Sequence, residues 1–141
     1  MKNSEFLIDI LEKALLNSGY ESLDYSFNKN TCLYEFRIHG IHDFNIFAIY
    51  KKIVNGGWKE KPLIKRVQIP KIDVSKLPIS TFSVTSMVIG TLEVVDKNLF
   101  VIWSLYNNTA HNTNKSCYVR MHNIFKAYLE GFFIGEDFNQ R

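Results

Sequence analysis

The residues best suited to chemistry in this 141-residue chain are cations and side-chain amides, and they fall in two runs. The first comprises Lys51, Lys52, Lys59, Lys61, Lys65, Arg66, Lys71 and Lys76, eight basic side chains against the two acids Glu60 and Asp73 within residues 51–76. Trp58 stands among them. Cations at this density suit a phosphate-bearing surface, because each one placed near a phosphate releases condensed counterions. The second run, residues 106–116, is uncharged except for Lys115 and holds Asn107, Asn108, Asn112 and Asn114 with His111 and Ser116. Amide side chains can pair bidentately with adenine, and arginine with guanine, so the two runs together contain the ingredients of base reading and backbone grip. Each also has a bland use. Lysines blunt sheet edges, and Asn and Thr in a loop satisfy nearby backbone groups. The length of the polar run, eleven residues, favours function over simple connection.

Catalytic constellations are thinner. A metal-dependent nuclease needs carboxylates that converge on Mg²⁺, and Glu60-Lys61 and Glu93…Asp96-Lys97 are the nearest candidates. The first pair lies in a glycine-rich turn and the second straddles an expected hairpin tip, so neither is fixed at a strand end beside a partner acid. His39, His42, His111 and His122 have no ligand spacing and no Ser or Cys nucleophile with an orienting acid. Phosphate-loop and dinucleotide fingerprints are missing, which argues against an NTPase. Cys32 and Cys117 cannot build a disulfide framework or a zinc site, and they read as two buried thiols in a reducing cytosol. No metal or cofactor is expected. Two alternatives stay open: a small Mg²⁺-dependent nuclease, and a protein-interaction module that presents Trp58 and the lysine face to an acidic partner.

The whole-chain balance, 17 basic against 14 acidic residues, conceals how uneven the charge is. Residues 1–50 hold four basic and seven acidic side chains, and residues 77–141 hold five of each, so the positive excess belongs to residues 51–76. An apolar fraction of 46% supports a packed core. A single domain over residues 1–141 is the expectation at this length, large enough for a reader and short for a reader plus a cutter. Neither a signal peptide nor a run long enough for a membrane span is visible, and a soluble cytoplasmic protein is expected.

Periodicity supplies the elements that must position these residues. Ser4 to Ser18 carries Phe6, Leu7, Ile10, Leu11, Ala14 and Leu15 at helical spacing, with Ser4 as N-cap and Gly19 just past the end. From Thr31 the period becomes two, placing Cys32, Tyr34, Phe36 and Ile38 on one face, and Phe44 to Tyr50 continues it after a turn at Gly40–Asp43, so these two strands should be neighbours. Asn55-Gly56-Gly57 is a turn. Leu63–Ile69 forms the next strand, and residues 71–80 form a connector. Phe82–Val95, with a bulge or bend at Gly90, turns at Asp96–Asn98 and pairs back through Leu99–Trp103. Cys117–Met121 is a short strand, and Asn123–Gly131 is a closing helix. The fold class expected is α+β, mainly β: an antiparallel open β-barrel with an N-terminal and a C-terminal helix.

Two stretches resemble something more specific. Asn55-Gly56-Gly57-Trp58-Lys59-Glu60-Lys61-Pro62-Leu63-Ile64-Lys65-Arg66-Val67-Gln68-Ile69 is similar to the glycine turn, basic-Pro step and Arg-x-Gln-Ile strand of DNA-recognition (effector) domains in bacterial restriction endonucleases. Leu99-Phe100-Val101-Ile102-Trp103-Ser104, then the polar run and Ser116-Cys117-Tyr118-Val119, resembles the second half of those domains, with Ser104 standing where they carry an acid. The resemblance spans residues 33 to 133. It implies the plant-type DNA-binding pseudobarrel of the LlaJI and EcoRII types, in which two β-arms enter the major groove and a separate nuclease or motor domain, in the same chain or complex, does the cutting.

The resemblance thus implies a non-catalytic reader of double-stranded DNA in a restriction-modification or phage-defence system, and the N-terminal part of a longer restriction protein. It sets the arms at Lys51 to Lys61 and Tyr106 to Ser116. The DNA-binding residues expected are Lys51, Lys52, Trp58, Lys59, Lys61, Lys65 and Arg66 on the first side, and Asn107, Asn108, His111, Asn112, Asn114, Lys115 and Ser116 on the second. If both arms leave one end of a barrel, they can embrace a duplex.

Overall fold

The structure, a computed structural model, describes residues 2–56, 63–79, 81–105 and 114–132. Helix α1 (Lys2–Asn17) opens the chain. Its start lies before Ser4, which is therefore an interior helical residue and not the N-cap that its side chain suggested. Among the α1 side chains described, Ile8 is buried and Leu11 packs beside it, whereas Ile10 is exposed. Of the expected apolar face, Leu11 thus meets the sheet and Ile10 does not.

Among the described residues a five-stranded sheet has the order β1-β2-β3-β6-β7, built from β1 (Ser22–Asn28), β2 (Leu33–His39), β3 (Phe44–Lys52), β6 (Val84–Val94) and β7 (Lys97–Ser104). The neighbouring pair β2 and β3 is antiparallel, as expected. Strand β1 went unforeseen. It pairs with β2 from Ser22↔His39 to Asn28↔Leu33, and its polar half, Ser22, Asp24, Ser26 and Asn28, resembles loop composition. This hairpin puts Cys32 in an exposed turn at φ 57°, so one of the two thiols expected to be buried is not.

The centre of the sheet departs from the antiparallel expectation, because β3 and β6 run parallel from Asn45↔Val84 to Lys52↔Thr91. A parallel pair needs a crossover, and residues 53–83 supply it. Within that crossover lie β4 (Val54–Asn55), β5 (Ile64–Ile69) and the short helix α2 (Lys71–Val74), in a stretch partly expected to be plain connector. Strand β8 (Lys115–Arg120) joins β4 and β5 in a second, three-stranded sheet of order β4-β5-β8, and α3 (Met121–Glu130) follows directly. The described strands form two sheets that do not close into a barrel. The architecture is α+β and mainly β.

The central strands of the five-stranded sheet are covered on both faces. On one side Ile8 of α1 packs with Phe36, Ala48 and Ile89. On the other, Ile49, Ile53, Val88 and Trp103 meet Val67, Ile69, Cys117 and Val119 of the smaller sheet, with Val74, Leu77, Met121 and Ile124 closing the edges. Ala48, Ile49, Val88 and Ile89 are therefore apolar on adjacent positions, as strands buried on two faces must be.

Gly90 makes no bulge. It stays in register opposite Lys51 and Val101, and a methyl group there would lie 2.6 Å from Ile53 Cγ1 and 2.9 Å from Trp103 Cζ3. The glycine is a notch that lets the two core side chains close over the strand. Among the described residues no helix is long and apolar enough to cross a membrane.

Candidate nucleic-acid interface

The three-stranded sheet gathers the charge. β4, β5 and β8 together carry Lys65, Arg66, Lys115 and Arg120 and no Asp or Glu. Strands β5 and β8 pair antiparallel over six positions, from Ile64↔Arg120 to Ile69↔Lys115. Along β5, Val67 and Ile69 are buried and Gln68 between them is exposed. Along β8, Cys117 and Val119 are buried and Arg120 is exposed. Side chains alternate across a strand, so the outward face bears three cross-strand pairs: Ile64 with Arg120, Arg66 with Tyr118, and Gln68 with Ser116.

Gly56 and Leu63 form the root of the β4–β5 turn. The Gly56 N–H donates to the Ile64 carbonyl at 2.9 Å, and a methyl group on Gly56 would sit 2.7 Å from that same oxygen. Only glycine lets the two strands approach this closely. The Met121 N–H donates to the Leu63 carbonyl at 2.7 Å, which ties the first residue of α3 to the same root.

Of the expected binding residues, Arg66 and Ser116 lie on the outward face. Arg66 is half-buried, and its Nε has no hydrogen-bond partner among the described residues. Lys65 belongs to the opposite, inward parity at the end of the sheet, where its Nζ donates to Asn55 Oδ1 at 2.6 Å. Lys115 holds the matching inward position at the far end, opposite Ile69.

Three expected residues serve elsewhere. Lys51 Nζ lies 3.9 Å from Asp73 Oδ2, and Lys76 Nζ is 3.9 Å from the other oxygen of that carboxylate, so Lys51 ties β3 to α2. Lys52 shares the parity of Ala48 and Tyr50 and projects on the α1 side of the large sheet, away from β5 and β8. The Lys71 backbone N–H donates to Asn114 Oδ1 at 2.6 Å, so this amide satisfies the first turn of α2. Trp58, Lys59, Lys61, Asn107, Asn108, His111 and Asn112 lie outside the described residues.

The two expected arms are rooted at opposite ends of the ladder. The β4–β5 turn leaves beside Ile64 and Arg120, and the amide run arrives beside Ile69 at Lys115. Five residue steps separate these ends, roughly 17 Å of extended chain. Gln68, Tyr118 and Arg120, which the sequence reading passed over, occupy the surface between them. Their signal was the alternation Arg66-Val67-Gln68-Ile69 and Ser116-Cys117-Tyr118-Val119-Arg120, in which every second residue is core.

Other reactive groups are engaged structurally. His39 Nε2 lies 2.9 Å from Asp24 Oδ2, and its Nδ1 lies 3.6 Å from Asp43 Oδ2. The hydrogen bond with Asp24 is the largest effect and raises the histidine pKa above 6.5; burial opposes it, and Asp43 adds to the rise. Asp96 accepts a hydrogen bond from Tyr128 Oη at 3.1 Å and raises that phenol, while Lys97 Nζ stands 4.7 Å from the centroid of the same ring. The acid-lysine pair considered for metal chemistry thereby holds α3 to the β6–β7 turn. Burial pushes the Cys117 thiol up to about 11.

Comparison with known proteins gives one family: the model of the family described as methylase-associated X1 matches residues 44–141, from the start of β3 through the last residue. No curated protein and no solved structure matches the chain.

Proposed function

We propose that this chain, which belongs to the methylase-associated X1 family, is the double-stranded DNA-binding part of a restriction-modification or phage-defence system and does no chemistry itself. One observation carries the reading: a sheet with four cations and no carboxylate has the lysine-rich turn rooted at one end and the amide-rich run at the other. A duplex binder needs both positive charge and hydrogen-bonding side chains within reach of base edges.

In this reading the arms meet the duplex on either side of the ladder. Trp58, Lys59 and Lys61 belong to one arm and Asn107, Asn108, His111 and Asn112 to the other. The stacked sheets then stand as an opened relative of the restriction-type pseudobarrel. A nuclease, methylase or motor subunit elsewhere in the same chain or complex supplies catalysis.

The test is a gel-shift series with randomised duplex DNA over increasing salt, with and without Mg²⁺. The expected result is a shift without cleavage that weakens linearly on a log–log salt plot. Lys59→Ala should lower affinity for all sequences alike and reduce the slope by about one. No shift at low salt overturns the DNA reading, and Mg²⁺-dependent cleavage overturns the non-catalytic part of it.

A further inference from the structure

We infer that the outward face of the β5–β8 ladder is itself the base-reading surface, with Arg66, Gln68 and Arg120 as specificity-determining residues. The inference rests on the duplex-binding reading above and refines it. In that reading the arms act as the readers; here they grip the backbone, and sequence is read between them.

Charge and chemistry both favour DNA as the occupant. The three strands are cationic without a single carboxylate, so nothing on them repels phosphate. The outward groups match the hydrogen-bonding pattern of the major groove. An arginine fork suits guanine O6 and N7, a glutamine amide suits adenine N6 and N7, and a serine hydroxyl serves either. Arg66 faces Tyr118 directly, Gln68 faces Ser116, and Arg120 faces Ile64, so polar groups stand in every row of the ladder.

Spacing also fits. Alternate residues on a strand are about 6.8 Å apart, close to two base-pair rises of about 3.4 Å. Arg66 and Gln68 therefore address positions about two base pairs apart without bending the strand. The pairing of β5 with β8 is unbroken over six positions, and the sheet is fastened from below by its packed inward residues Val67, Ile69, Cys117 and Val119. Side chains on such a platform are held more steadily than side chains on loop tips.

The experiment uses the full chain. Selection from randomised duplexes at fixed salt defines a preferred site, and affinities are then compared for that site and a scrambled duplex. Arg66→Lys keeps the charge but loses the fork. Gln68→Ala changes an exposed position and leaves the core untouched. Each variant is expected to lower the preferred-to-scrambled affinity ratio by about 5- to 150-fold. A thermal melt of each variant confirms folding. If both variants fold and keep the wild-type ratio, or if wild type binds duplexes without preference, the inference is overturned and duplex binding stands. If wild type binds no duplex at low salt, the underlying reading fails, and the inference fails with it.

Discussion

Trp103 donates its indole Nε1–H to the backbone carbonyl of Tyr118 at 3.0 Å, joining β7 of the large sheet to β8 of the small one. The bond lies immediately under the row that holds Arg66, because Tyr118 is the cross-strand partner of Arg66. Trp103 also fills the notch at Gly90 together with Ile53. One side chain thus couples the core to the backbone of the candidate interface. Trp103→Phe keeps most of the ring packing but removes the indole donor to the Tyr118 carbonyl. Lost hydrogen bonding and packing together should destabilise the protein by about 1–3 kcal/mol. Urea unfolding monitored by circular dichroism checks this, and an unchanged midpoint would show that the sheet contact is dispensable.

Asn114 was expected to read bases, yet its side-chain oxygen holds the Lys71 N–H at 2.6 Å, where the preceding Pro70 offers no side-chain cap. The role resembles helix capping, and loss of such a cap costs about 0.5–2 kcal/mol. Asn114→Ala should therefore lower thermal stability by that amount and leave duplex preference intact. A binding competition and a melt on the same sample separate the two effects. A changed preference with an unchanged melt would return Asn114 to the reading surface.

The two cysteines should differ sharply in reactivity. Thiolate is the reactive species, and with its pKa pushed to about 11 by burial, Cys117 has on the order of one thiolate per thousand molecules at pH 8. Cys32 sits in the exposed β1–β2 turn. A thiol-specific chromogenic reagent should therefore titrate one equivalent quickly in native protein and the second only on unfolding. Cys32→Ser should abolish the fast phase. Two fast equivalents would place Cys117 outside the core.

Much of this was legible in the chain, and the failures have physical causes. Alternation predicted β2 and β3, and apolar, β-branched runs predicted β5, β6 and β7, but neither showed that Arg66 and Ser116, expected on separate arms, share one face of the small sheet. Neither could reveal that β3 and β6 run parallel. Hairpin pairing is set locally by turns, whereas that pairing depends on a 31-residue crossover returning to the same sheet. Nor could a cluster of lysines in sequence show how it divides in space. Lys51 and Lys52 are adjacent in a strand and so project to opposite faces, one to Asp73 and the other to the α1 side. Strand β1 was hidden because an edge strand tolerates Ser, Asp and Asn at its exposed positions.

The His39 cluster gives the fold a pH dependence with a defined sign. His39 ends the β1–β2 ladder opposite Ser22, and Asp24, on β1, is its closest carboxylate. Asp43, from the following turn, approaches the other ring nitrogen. The Asp24 hydrogen bond is the largest effect and raises the folded pKa above the ordinary 6.5; burial opposes it, and Asp43 adds to it. A histidine whose pKa is higher folded than unfolded stabilises the folded state fully below the unfolded value of 6.5. That contribution is lost as pH rises through the folded value. The imidazole proton resonances of His39 should therefore titrate above 6.5, and Asp24→Asn should move the midpoint down more than Asp43→Asn does. Hydrogen exchange at β1 amides, corrected for the intrinsic pH dependence, should show weaker protection once His39 is neutral. His39→Gln should remove that pH dependence. A His39 midpoint at or below 6.5 would mean that the imidazole draws no net stabilisation from the two carboxylates and that β1 is held by its backbone ladder alone.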